Sequence, residues 1–285
     1  MLLSYNKNDI EQLCGFKSKK FTMVNYVFTG IIGVFFTIIF YALLLPFHLH
    51  NMQFANMYFH GGPMDRSTIP YYIMFLTCWS LAILLIKYLK LQNQRRAFAM
   101  NILPEDPNFV LTARTTNELL DQIYLQIDQP KAYVLVARIE LALVNLKNQG
   151  NVNAVSECMN NQAANDEEYL ASSYTILKGF IWAIPVLGFI GTVIGLAKAV
   201  GEFGSVVSTD ASLTEMKNAL GQVTGGLAIA FETTLIALVM ALIVQLLAKF
   251  VLSKEEVFLD ECADYCNCNI AVKIKNINLD SNSNI

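Results

Sequence analysis

The sequence predicts an all-α, polytopic membrane protein with four transmembrane helices and a cytoplasmic helical domain between the second and third. Three observations lead there. Hydrophobic residues make up 54% and charged residues only 15% of the 285, against roughly 25% charged in an average soluble domain. The apolar residues gather in four blocks, at 24–45, 70–89, 176–199 and 223–252, each near or above the roughly 20 residues needed to cross a hydrocarbon core. The stretch between the second and third blocks is polar enough for water yet keeps helical spacing of its apolar positions.

Taken in order, 1–23 is a cytoplasmic amino-terminal segment, and Lys17, Lys19 and Lys20 mark it as such. The first transmembrane hairpin occupies 24–89, two helices joined by an outer loop at 46–69. Its first block is no signal peptide: the apolar run exceeds the usual core, begins after some twenty residues, and Pro46-Phe47-His48 offers no small-x-small cleavage site. Lys87, Lys90, Arg95 and Arg96 close or follow the second block, whereas the outer loop has only Asp65 and Arg66 as full charges. With four spans, this asymmetry puts both termini in the cytoplasm.

The cytoplasmic helical domain, 90–173, is broken at Leu103-Pro104-Glu105-Asp106-Pro107, because two prolines cannot sit in a helix interior. Helices resume near Val110 and at Pro130, a suitable first-turn residue. From Val134 the positions Val134, Ala137, Leu141 and Val144 recur at helical spacing, with Arg138 and Glu140 off that stripe, so one face is expected to be buried. Gly150-Asn151 punctuates. A helix from Val152 runs through Glu167 toward the membrane, where the third span can continue it. The second transmembrane hairpin, 174–252, has its helices at about 176–199 and 223–252. The loop 201–222 carries Glu202, Asp210 and Glu215 against Lys217, which suits the outer side. Lys249 and Lys254 return the chain to the cytoplasm, where 253–268 extends the fourth span as a helix and 276–285 forms a disordered end.

Several classes of function are excluded. A net charge of −3 with no basic face does not suit nucleic acid. The six cysteines lie in cytoplasmic or membrane segments, where thiols stay reduced, and Cys262, Cys266 and Cys268, spaced C-x3-C-x-C without a nearby histidine, match no zinc pattern. His48, His50 and His60 share the outer loop and read as interfacial residues. No phosphate loop, nucleophile elbow or H-E-x-x-H occurs, so no enzyme, metal or cofactor is implied. The two hairpins differ in character, the first aromatic and the second rich in glycine and threonine. Such asymmetry disfavours the inverted repeats of many solute carriers.

The chemistry-bearing residues lie in the second hairpin. Gly188, Thr192 and Gly195 share one helical face, which lets another helix approach closely. Pro185 withdraws one backbone donor from the same helix. In the fourth span Thr234 lies on a stripe of small residues with Ala230, Ala237 and Ala241, while Glu232 points to nearly the opposite side. An intramembrane acid costs roughly 2.5–3.5 kcal/mol on insertion scales and usually faces a cavity or partner. It can instead bond a neighbouring helix and never titrate. Thr192 and Thr234 are suited to line a pore, because a hydroxyl both donates and accepts. Bonding back to the i−4 carbonyl is the alternative for threonines in membrane helices. Gly188, Gly191, Gly195, Gly221, Gly225 and Gly226 need no role beyond close packing.

Two motifs carry a family resemblance: Ile-Pro-Val-Leu-Gly-Phe-Ile-Gly-Thr-Val-Ile-Gly-Leu at 184–196, and Gly-Gly-Leu-Ala-Ile-Ala-Phe-Glu-Thr-Thr-Leu-Ile-Ala-Leu at 225–238 with Ala219-Leu-Gly before it. Over roughly 100–268 the chain resembles the MotA/TolQ/ExbB proton-channel proteins. The resemblance implies a stator subunit of an ion-driven motor in a bacterial inner membrane. It further implies a homopentameric ring enclosing the single transmembrane helices of two partner subunits of ExbD, TolR or MotB type. Thr192 and Thr234 match the family's pore threonines, beside a partner aspartate that carries protons. The ExbB-type glutamate position holds Ile229, and the acid of this chain comes three residues later at Glu232, facing the partner or a neighbouring copy. Four spans resemble MotA, whereas the helix motifs resemble TolQ and ExbB. Protons or sodium ions suit a hydroxyl-lined path alike. Two rivals stand beside this reading: a non-conducting membrane scaffold, in which the small-residue faces serve packing alone, and a solute carrier.

Overall fold

The computed structural model describes residues 9–16, 21–50, 52–59, 68–100, 102–103, 111, 113–149, 152–207 and 213–274. Lys17, Lys19, Lys20, His60, Asp65, Arg66, Val110 and Asp210, the prolines Pro104 and Pro107, Gly150-Asn151 and the tail 276–285 lie outside them. Among the described residues all regular structure is helical, apart from an isolated bridge between Leu111 and Ile274. We number the helices α1 (Ile10–Leu13), α2 (Tyr26–Leu49), α3 (Gln53–Asn56), α4 (Ile69–Arg95), α5 (Ala113–Gln126), α6 (Val134–Gln149), α7 (Val152–Ser173), α8 (Thr175–Val207) and α9 (Leu213–Asn269). Four of the described helical stretches are long and apolar enough to cross a membrane, and they cover α2, α4 and most of α8 and α9. The helices outrun the apolar blocks, because a polar sequence with good helix formers continues a helix beyond its apolar part. A turn at Tyr174 separates α7 from α8, so the third span adjoins the preceding helix without being its unbroken continuation.

The chain forms two compact units: a polar one of Met1–Asn25, Leu85–Tyr174 and Phe250–Ile285, and an apolar one of Tyr26–Leu84 and Thr175–Lys249. In the polar unit α6 is central and packs against both α5 and α7. Leu135, Ile139, Ala142, Leu143 and Leu146 form its buried side, whereas Ala137 and Leu141 are only half-buried and Val144 is 36% exposed. Of the stripe expected to be buried, Val134 is buried and only Val144 is exposed, while the two charged residues expected off it, Arg138 and Glu140, are buried. The reason is that a central helix is covered on several sides, so its apolar residues run almost around it and one sequence supports two stripes.

Polar partners make those burials affordable. Arg138 Nε donates to Asp166 Oδ2 at 2.7 Å, Arg138 also reaches the Leu259 carbonyl at 3.1 Å, and Gln162 holds Asp166 Oδ1 at 2.7 Å. Removing one partner leaves an uncompensated buried charge, so Asp166→Ala is expected to destabilise the protein by roughly 3–5 kcal/mol, read as a lowered unfolding midpoint in detergent. Gln94 of α4 clasps the start of α6 with both ends of its amide, donating to the Ala132 carbonyl and accepting from the Val134 N–H. Lys90 holds the amino-terminal segment by pairing with Glu11 at 2.6 Å, and Glu11 in turn accepts the Asn25 N–H.

Burial pushes the Cys266 thiol up to about 12 and raises that of Cys262 as well, while Cys14 and Cys268 are exposed. Alkylation needs the thiolate, and a raised pKa keeps the thiol protonated at pH 8. Maleimide at that pH is expected to label Cys14 and Cys268 promptly and to reach Cys262 and Cys266 only after denaturation; prompt labelling of all four would contradict their burial. Cys262 and Cys266 face inward and Cys268 outward, and among the described residues no three His, Cys, Asp or Glu side chains gather as a metal site.

In the apolar unit α2 lies against α4 through a contact the aromatic look of the first hairpin conceals. A Cβ on Gly33 would stand 2.8 Å from the Trp79 Cα, and one on Gly30 would stand 3.3 Å from the Trp79 ring, so both glycines make room for that residue. The indole N–H of Trp79 donates to Thr29 Oγ1 at 3.2 Å. The loop between the hairpin helices is less purely external than its composition suggests. Helix α2 continues through Pro46 to Leu49, and the segment after it folds back so that Ala55 is buried and Tyr58 is buried beside Ile73, Met74, Ile184, Ile236 and Ala237. His48, in the last turn of α2, stacks on Phe59 and shares a 2.6 Å hydrogen bond with Asn56.

Candidate functional site

Within the apolar unit α8 and α9 run antiparallel along a seam of very small residues. Gly188 faces Ala237 and Thr234, Gly191 faces Thr233, Gly195 faces Ala230, and Ala199 faces Gly226, each step along α8 matched by an opposite step along α9. The approach is close enough to exclude a side chain. A Cβ on Gly188 would come within 2.5 Å of the Ala237 Cβ, one on Gly191 within 2.7 Å of a Thr233 methyl, and one on Gly195 within 2.9 Å of the Ala230 Cβ. Of the packing residues expected from sequence, Gly188, Gly191, Gly195, Gly226, Ala230 and Ala237 thus meet in one seam. Gly225 is half-buried beside Gly226. Pro185 lies within α8, which remains one helix.

The seam also brings the two threonines together. Their hydroxyls are hydrogen-bonded to one another. Thr192 Oγ1 lies 3.2 Å from the Gly188 carbonyl and 3.4 Å from that of Ala230, and Thr234 Oγ1 lies 2.9 Å from the Gly188 carbonyl. Each hydroxyl has one proton to give, so two arrangements satisfy the group: Thr192 donates to Thr234, which donates to Gly188, or Thr234 donates to Thr192, which donates to a carbonyl. Back-bonding and pairing are therefore two states of one cluster rather than alternatives. A pair of hydroxyls that can reverse its donor direction is the elementary link of a proton-carrying chain.

Glu232 is half-buried, two residues and hence about 200° of helix from Thr234. It does not join the threonine pair, and it lies among the outward residues Phe231 and Leu235 of α9. The expected separation of the two polar contacts on this helix is found. Sequence reasoning passed over Thr233, which is buried, bonds back to the Ile229 carbonyl at 3.1 Å and fills the space over Gly191. The signal was available in the spacing: Gly191 and Thr233 hold the register set by Gly188 with Ala237 and Gly195 with Ala230.

Residues 126–263 match the MotA/TolQ/ExbB proton channel family. The match covers just under half of the chain and supports the family that the two motifs resemble. The matched residues include α6, α7, α8 and most of α9, hence both threonines, Glu232 and the whole glycine side of the seam. No curated protein and no solved structure matches the chain. That match together with four helices of membrane-crossing length and composition marks this as a membrane protein.

Proposed function

We propose that this protein is the stator subunit of an ion-driven membrane motor, in which protons pass along the Thr192 and Thr234 hydroxyls. The observation that carries the reading is the reversible hydroxyl pair, set in a seam otherwise made of glycine and alanine, inside the segment that matches a proton channel family. A proton arriving by water on one side of the pair is taken up by one hydroxyl while the other releases its own, and the Gly188 and Ala230 carbonyls hold whichever proton is left facing them. Glu232 stands apart from that exchange and contacts a partner helix or a neighbouring copy.

A single chain leaves broad apolar surfaces on this hairpin: Phe189, Val193 and Val200 on α8, and Leu235, Leu238 and Leu242 on α9, are exposed. Five copies in a ring, enclosing two copies of a single-span subunit of ExbD, TolR or MotB type, cover them along with lipid. The partner supplies the charged proton carrier, and proton motive force across a bacterial inner membrane turns the ring about the partner pair. Both termini lie in the cytoplasm. Ion uptake into vesicles holding the native complex, with a pH-sensitive dye inside and sodium varied outside, tests the reading and identifies the ion. No ion uptake by the native complex would point to a scaffold instead, and uptake that persists undiminished in Thr192→Val, Thr234→Val and Glu232→Gln would remove these residues from the ion path.

A further inference from the structure

Among the described residues of the polar unit, buried charges stand beside opposite ones: Lys87 with Glu255, Lys90 with Asp9 and Glu11, and Arg138 with Asp166. Glu140 on α6 is the exception. It is 8% exposed, its Oε1 accepts the Tyr124 hydroxyl of α5 at 2.6 Å, and its Oε2 is buried with no hydrogen-bond partner. A carboxylate withdrawn from water is tolerated where a cation or several donors compensate it. One phenol is a poor substitute, so this group points to a cation supplied from outside the chain.

The surface around Glu140 is apolar. At about 100° per residue, Ala137 and Val144 lie within about 60° of Glu140 on α6. Val144 is exposed and Ala137 half-buried, although the spacing of both predicts a covered face. From α5, Tyr124 and Leu125 add side chains that are 54% and 75% exposed. A buried charge ringed by open apolar side chains has the anatomy of a protein interface, in which the apolar rim keeps water from the polar contact. The polar unit also carries the complementary groups: Arg96, Lys131 and Lys147 are exposed and form no ion pair within the chain. Unpaired carboxylate and unpaired cations on different parts of one surface suit a head-to-tail contact, in which one face of a copy meets a different face of the next.

We propose that the α5 and α6 face around Glu140 and Tyr124 is the contact between the polar units of neighbouring copies, and that one cation of the next copy, Arg96, Lys131 or Lys147, pairs with Glu140. This rests on the ring proposed above and adds which face the copies share. The test is photo-cross-linking in the native complex, with a photoreactive phenylalanine analogue in place of Leu125 or Val144 and two differently tagged forms of the chain. Each position is expected to yield a product carrying both tags, with the attachment point near Arg96, Lys131 or Lys147. Glu140→Gln keeps the Tyr124 hydrogen bond and removes the charge. Its assembled fraction is expected to fall at least fivefold at equal protein concentration, while the unfolding midpoint of the dissociated chain stays unchanged or rises; a role confined to one chain would lower that midpoint instead. Glu140→Arg is expected to lose assembly further and to regain it with one of Arg96→Glu, Lys131→Glu or Lys147→Glu. Wild-type assembly of Glu140→Gln, or cross-links from both positions that reach lipid, a different protein or only the same chain, would overturn the proposal. Should Glu140→Gln not fold, the cross-links, made with Glu140 in place, decide alone. A five-copy complex that takes up ions but whose cross-links avoid this face refutes the face and spares the ring. Cross-links between copies in a complex without ion uptake refute the motor and spare the face.

Discussion

Thr192→Val and Thr234→Val are each expected to abolish ion-coupled activity while leaving the complex assembled. Valine keeps the shape of threonine and removes only the hydroxyl. The seam loses little by it, because the Gly188 and Ala230 carbonyls lie within helices whose backbone bonds remain, and the net worth of one such hydrogen bond is about 1 kcal/mol. The relay loses a link outright. With two hydroxyls in sequence, either substitution leaves one that has no partner to pass its proton to, and uptake is expected to fall at least about tenfold, equivalent to a barrier raised by roughly 1.4 kcal/mol. The measurement is dye-reported uptake beside the mass of the purified complex. Full uptake in both variants would remove these residues from the ion path.

The second large effect is structural and sits one turn away. Gly188→Ala places a methyl group 2.5 Å from the Ala237 Cβ and 3.3 Å from the Thr234 backbone, neither of which can swing aside. The helices must separate, so the threonine pair is pulled apart as well. Overpacking of this kind costs about 1–3 kcal/mol, seen as a lowered unfolding midpoint, and activity falls with it. Gly201→Ala on the same helix is the control: a Cβ there meets nothing within 4 Å, and alanine is the better helix former by about 1 kcal/mol. Equal behaviour of the two variants would mean that α8 and α9 do not approach as closely as described.

The four spans were legible in the sequence because each is a long, predominantly apolar block, and the threonine seam was legible because glycine and alanine at helical spacing have few other uses. Helix ends were less legible. Hydropathy marks where a helix enters or leaves an apolar setting, not where it starts or stops: α9 begins at Leu213, inside the loop expected at 201–222, whereas its end at Asn269 lies beside the helical extension expected to 268. The misread face of α6 has a related cause: Arg138 looks solvent-exposed until Asp166 and the Leu259 carbonyl are set beside it. Lys87 and Glu255 are 168 residues apart in the chain, and each alone reads as an ordinary charge near a membrane boundary.

This chain is expected to work as one member of an ion-driven ring with a single-span partner. Native mass spectrometry of the tagged protein, purified in mild detergent from its own membrane, decides it. Five copies of this chain carrying two copies of a small protein with one transmembrane helix and an intramembrane aspartate are expected. A monomer or partnerless dimer that persists under gentler extraction would contradict it.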